Sequence, residues 1–134
     1  MSARGVEHDG GVGEPEPGRV ARERPAVATD YEHFVRLLPE LAVDDPTPSR
    51  ERWEMAMAPD TLLFEEAGEV VGYAFLQVLH GTGYVRHVVV DPAHRGRGHG
   101  RTIMAVLARR FREAGCSEWC LNVKPENTAA VRLY

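Results

Sequence analysis

From Asp60 onward the chain alternates like a β-sheet. DTLLFEEAGEVVGYAFLQVLH predicts two strands joined at Glu66-Ala67-Gly68, and GTGYVRHVVVD predicts a third behind another glycine turn. The pattern changes period at TIMAVLARRFREAG. There Ile103, Leu107 and Phe111 recur at i, i+4, i+8 beside Met104 and Ala108, and Gly115 stands where a helix cap belongs. Upstream, RVARERPAV predicts a short first strand. TDYEHFVRLLPEL predicts a helix with Thr29 or Asp30 as N-cap and Phe34, Leu37, Leu38 and Leu41 on one face. Pro39 leaves the end of that helix open. SRERWEMAMA predicts a second short helix capped by Ser49. Downstream, CSEWCLNVK predicts a further strand, and ENTAAVRLY a last helix capped by Asn127 or Thr128.

The predicted order is β-α-α-β-β-β-α-β-α, an α+β or mixed α/β fold without internal repeats. Residues 1–18, rich in Gly, Pro and Glu, cannot offset their ordering entropy by burial and are expected to form a disordered tail. That leaves one domain over residues 19–134. A net charge of -4 argues against a general nucleic-acid binder. No apolar run approaches the ~18 residues of a membrane span, and no secretory h-region is visible, so the cytoplasm is the expected location. Cys116 and Cys120 lack the second pair that a zinc site needs and are expected in the core, with no metal.

The chemistry concentrates in DPAHRGRGHGR, between the third predicted strand of the meander and the helix that follows. A strand entering a helix N-terminus through glycines exposes unpaired N–H groups at the positive end of the helix dipole. Gly96, Gly98 and Gly100 let an anion approach that backbone, and Arg95, Arg97 and Arg101 add charge. No lysine and hydroxyl follow in NTPase register, and G-x-G-x-G is not the dinucleotide spacing. A single copy between ordered elements is also unlike an RNA-binding arginine-glycine tail. Taken alone, the stretch reads either as a pyrophosphate site or as a glycine-rich turn.

The run VVVDPAHRGRGHGR resembles the acyl-CoA-binding motif of the GNAT N-acetyltransferase superfamily, [QR]-x-x-G-x-[GA], at Arg95, Gly98 and Gly100. NVKPENTAAVRLY is similar to that superfamily's downstream segment, where an Asn opens the fourth helix and a Tyr follows one residue after a Leu. The resemblance covers roughly residues 19–134. It implies a central twisted, mostly antiparallel sheet with flanking helices, and acetyl-CoA lying where the fourth and fifth strands splay. It further implies pantetheine contacts from the backbone of Val88, Val89 and Val90, and pyrophosphate contacts from the amides of Gly96, Arg97, Gly98, His99, Gly100 and Arg101. Asn127 is implied as a further cofactor contact and Tyr134 as the acid that protonates the leaving thiolate.

The implied activity is acetyl transfer from acetyl-CoA to a primary amine of a small molecule or protein, without nucleic acid, membrane or metal. A homodimer is a possible assembly. A catalytically silent acyl-CoA-binding module is the alternative. Where several relatives carry a carboxylate this chain has Asn122, which cannot accept a proton at neutral pH. His87, with an ordinary pKa of about 6.5, is a candidate base, beside a water relay or an already neutral amine. The superfamily usually continues beyond the tyrosine with further strands, so the chain is expected to be a fragment lacking the C-terminal strands, or else to take them from a partner. The acceptor is not legible. Glu32, Glu40, Asp44, Asp45, Glu51 and Glu54 on the first two helices suit either a cationic amine or plain solvation.

Overall fold

A computed structural model of the protein describes residues 21–41, 46–121 and, for the backbone, 129–132. The expected tail, Asp44 and Asp45 lie outside the described residues. The fold is mixed α/β. Six strands lie in sequence order in one sheet: β1 (Arg22–Pro25), β2 (Thr61–Glu66), β3 (Glu69–Leu79), β4 (Thr82–Val90), β5 (Glu118–Leu121) and β6 (Ala129–Arg132). Every neighbouring pair is antiparallel except β4 and β5. That parallel step requires a crossover, supplied by α3 (His99–Glu113).

Two cores follow from the alternation of strand side chains. Phe64, Val71 and Val85 meet Ile103, Leu107 and Phe111 of α3, with Trp119 of β5 and Cys116 beneath them. On the other face Leu63 and Tyr73 meet Phe34, Leu37 and Trp53. Cys116 is thus a core residue, and burial pushes its thiol up. Among the described residues no helix is long and apolar enough to cross a membrane.

The first helical stretch is composite. α1 (Tyr31–Leu37) is preceded by a 3-10 turn at Ala28–Asp30 and followed by another at Leu38–Leu41, which takes up Pro39. Asp30 does not cap by accepting from the turn ahead of it. Its Oδ2 accepts the Val27 N–H behind it at 2.8 Å, and both carboxylate oxygens take Arg24 at 2.9 Å. α2 (Arg50–Arg52) is capped by Ser49, whose Oγ accepts from the Arg52 N–H at 3.1 Å. It widens into a π-helical turn at Trp53–Met57. The indole of Trp53 stacks on Phe34 at 4.8 Å and donates to Ala28 O at 3.1 Å, which ties α2 to α1.

Burial works against the charge on Asp30, but the bonds from Arg24 and Val27 outweigh it and hold the carboxyl below its ordinary range. A depressed carboxylate adds stability above its unfolded pKa and loses it as pH falls through the folded value. The melting temperature is therefore expected to be flat above about pH 5 and to fall below about pH 4. In a series of thermal melts, Asp30→Asn should flatten that acid limb. An unchanged limb would show that this cluster is not part of the acid response.

The C-terminal segment corrects the expectation from sequence. Ala129–Arg132, expected in a helix, is a strand pairing antiparallel with β5, from Leu121–Ala129 to Glu118–Arg132. A helix of about eight residues falls short of the ~12 to 15 that hold in water. β5 meanwhile has one edge beyond β4 that needs a partner, and pairing there satisfies both backbones.

Candidate active site

The site begins where the described pairing of β4 with β5 ends. Pairing between β4 and β5 runs from Thr82–Glu118 to Val85–Leu121, whereas pairing with β3 continues to Gly72–Val90. Among the described residues, the stretch from His87 to Val90 has β3 on one side and no strand on the other. In an antiparallel ladder alternate residues turn N–H and C=O away from the partner strand. Here those groups face the gap.

A bulge aims the side chains of this stretch. Phe75 pairs with His87 and Leu76 with Val85, so Arg86 is an extra residue in β4. The extra residue resets the alternation. Val85 and Val88 both reach the α3-side core, while Val89 joins the α1-side core. His87 lies with Val89 on the α1 side. It is half-buried, with its ring parallel to Phe34 at 6.3 Å, edge-on to Phe75 at 5.4 Å, and its Nδ1 3.0 Å from Tyr73 Oη. Burial raises the Tyr73 phenol, so it stays protonated.

The exit from β4 is clamped. Asp91 donates its N–H to Val71 O at 2.8 Å, and its carboxylate accepts Ala93 N–H at 2.9 Å and Arg36 Nη1 at 2.6 Å. Burial opposes this charge, but the two donors hold the Asp91 carboxyl below its usual range. A 3-10 turn at Pro92–His94 then leads into the glycines. Gly96 and Gly98 have φ of 81° and 82°, and Gly98 is the N-cap of the fifteen-residue α3. Among the described residues, no atom beyond the chain neighbours and the helix's own backbone lies within 4 Å of where a Cβ would stand on Gly96, Gly98 or Gly100. The first N–H groups of the helix have no intrahelical acceptor. The backbone at this helix head is therefore open, and the dipole favours an anion there.

The side chains around the turn divide. Arg95 faces away, donating Nε to Val90 O at 3.2 Å and Nη2 to Glu40 at 3.2 Å, so Glu40 is not simply an unpaired charge on the helix face. His99 is 2% exposed, and its Nε2 lies 3.1 Å from Glu66 Oε1. Only the backbone of His99 is available to a ligand at the helix head. Arg97 lies near the same carboxylate at 3.3 Å but is half-exposed, and Arg101 is exposed. Asn122, Asn127 and Tyr134 lie outside the described residues.

The sequence reading missed Glu66 and Gly72. Leu62 and Phe64 point into the α3-side core, and Glu66 continues their period of two, so alternation predicts a buried acid at the end of β2. His99 likewise precedes Ile103 by four residues on the buried stripe of α3. Gly72 matters because β3 and β4 approach so closely that a Cβ there would overlap Val89 O. A groove of about 520 Å³ lies elsewhere, between Pro25, Leu62, Val78, Arg110 and Phe111, at the other end of α3.

The model of the acetyltransferase (GNAT) family matches residues 28–134, and the chain belongs to that family. A mycothiol acetyltransferase of Saccharopolyspora erythraea is 43% identical over 54 residues, 40% of this chain and 18% of the relative. An L-methionine sulfoximine/L-methionine sulfone acetyltransferase of Salmonella typhimurium is 33% identical over 96 residues, 66% of this chain and 56% of the relative. The chain thus spans well under two thirds of either. The N-acetylglutamate synthase of Neisseria gonorrhoeae, crystallised with coenzyme A and L-arginine, superposes with a TM-score of 0.71. It is 18% identical, over 87% of this chain and 34% of the synthase.

Proposed function

We propose that the chain carries the acyl-CoA site of an acetyl-CoA-dependent N-acetyltransferase acting on a primary amine of a small molecule or protein. The observation that carries this reading is the continuity of two features. Among the described residues, the half of β4 beyond its pairing with β5 runs through the glycine turn into the open head of α3. A thiol arm can pair with the strand edge while a diphosphate sits on the helix head. That division of labour matches the two chemically different parts of CoA. Val88, Val89 and Val90 would hold the arm, and the amides from Gly96 to Arg101 the diphosphate, with Asn127 as a further contact.

Transfer requires the amine nitrogen to attack the thioester carbonyl carbon. A C–N bond forms, the C–S bond breaks, the nitrogen loses a proton and the thiolate gains one. Asp91 donates its N–H to Val71 O, so alternation along β4 turns Val90 rather than Val89 toward the gap, and the Val90 N–H polarises the carbonyl. Tyr134 protonates the sulfur on this reading, supported by its place in the downstream motif. His87 can accept the amine proton at Nε2 only in the tautomer that donates Nδ1–H to Tyr73 Oη. Tyr134→Phe is accordingly expected to lower kcat by about 10²-fold or more with little change in KM, the usual scale for a general acid. An unaltered kcat across the pH range would remove Tyr134 from the mechanism.

The exposed Glu32, Glu51 and Glu54 on the α1–α2 side suit a cationic acceptor. The experiment is an assay of free-thiol release from acetyl-CoA against a panel of amines, paired with calorimetry of acetyl-CoA alone. Binding with amine-dependent release supports the enzyme. Binding without release from any amine would favour a silent acyl-CoA module.

A further inference from the structure

We propose that Glu66 is a positioning residue of the diphosphate cradle, a buried carboxylate that fixes the turn on both sides of Gly98. The proposal rests on the reading of the α3 head as that cradle. Glu66 is the last residue of β2 and is 5% exposed. One of its oxygens, Oε1, lies 3.3 Å from Arg97 Nη1 and 3.1 Å from His99 Nε2, with His94 Nδ1 at 3.5 Å. Gly98, the left-handed residue that starts α3, stands between Arg97 and His99. One carboxylate on the sheet therefore holds the residue before the helix cap and the residue after it.

An ionised carboxylate only accepts, so Nε2 of His99 and Nη1 of Arg97 are the donors. Burial opposes the charge on Glu66, but His99 and Arg97 outweigh it and keep the carboxyl below its ordinary range. The ligand atoms of Glu66, His94 and His99 lie within 4.8 Å of one another, a spacing that a metal ion can use. Arg97 Nη1, however, is already 3.3 Å from both Glu66 Oε1 and His94 Nδ1. The cation at this cluster is the guanidinium. Glu69 completes the surroundings, 3.7 Å from His94 Nε2.

A buried ion pair is a poor source of stability, because desolvation offsets most of its attraction. An apolar residue at position 99 would continue the stripe of Ile103 and Leu107 at lower cost. What the polar pair adds is direction. A turn with three glycines has many accessible conformations, and anchoring it to the sheet removes them before a ligand arrives. That preorganisation appears as affinity for whatever the turn binds.

The test is calorimetry of CoA and of pantetheine, which has the thiol arm and no diphosphate, on wild type, Glu66→Gln and Glu66→Leu. Glu66→Leu should weaken CoA on the order of tenfold, since two donors lose their acceptor, and leave pantetheine unchanged. Glu66→Gln, which keeps one acceptor oxygen, should fall between. Unchanged CoA affinity in Glu66→Leu overturns the proposal, and so does equal weakening of both ligands. If Glu66→Leu does not fold, the CoA-to-pantetheine ratio of Glu66→Gln decides in the same way. A wild type that binds CoA no better than pantetheine removes the cradle reading itself, and the proposal with it.

Discussion

Gly98→Val is expected to lower affinity for CoA by at least about 100-fold, roughly 2.7 kcal/mol, while far-UV circular dichroism stays near that of the wild type. Gly98 sits at φ 82° and ψ 8° as the N-cap of α3. A β-branched residue is strongly disfavoured in that conformation. The turn must rotate out of it, and the N–H groups at the helix head turn with it. The space beside Gly98 is open, so no clash with the core accompanies the change. The effect should therefore fall on the anion site rather than on the fold. Calorimetry on both proteins checks it. Equal affinity at equal dichroism would mean that the diphosphate does not sit on this backbone.

Gly72→Ala is the second large effect, and it should strike stability and binding together. A Cβ on Gly72 would overlap Val89 O and stand 3.4 Å from Val90 Cα. Both obstacles are backbone, and neither can swing aside as the end of a side chain would. β3 and β4 must separate locally, at a cost of about 1 to 3 kcal/mol, the usual range for forced overpacking. The strand that moves is the stretch proposed to pair with the pantetheine arm, so pantetheine as well as CoA should bind more weakly. Thermal melts and calorimetry together check this. An alanine variant with unaltered melting temperature and affinity would place the arm elsewhere.

The sequence shows these elements unequally, and the reasons are physical. The stripe of Ile103, Leu107 and Phe111 predicts α3 because a long amphipathic helix writes its period into many residues. The β2–β3 turn is legible at Ala67 and Gly68, while Glu66, read as part of the junction, is the last residue of β2. Ala67 and Gly68 take φ of 53° and 84°, as a two-residue hairpin turn requires. The glycine turn ahead of α3 also stands where its spacing put it. Ala129–Arg132 did not follow its local pattern, because four residues carry little periodicity and an open strand edge decided their state.

The candidate site was legible as backbone and less so as side chains. Gly96, Gly98 and Gly100 mark the open helix head directly. His99 read only as an amide beside them and Arg95 as a ligand-facing charge, yet the His99 ring is buried against Glu66 and the Arg95 side chain is bonded to Val90 O and Glu40. Their partners come from 33 and 55 residues earlier in the chain. Spacing within the motif could not reveal contacts of that range. The bulge at Arg86 is similar, since only pairing against β3 shows that His87 and Val89 share a face.

The central claim is that acyl-CoA binds along β4 and onto the head of α3. Amide proton–nitrogen spectra recorded during a titration with CoA locate the ligand directly. The account predicts that the largest shifts fall on Val88, Val89 and Val90 and on the amides from Gly96 to Thr102. Shifts confined to the groove around Pro25, Leu62, Val78 and Phe111, with the glycine turn unmoved, would contradict it.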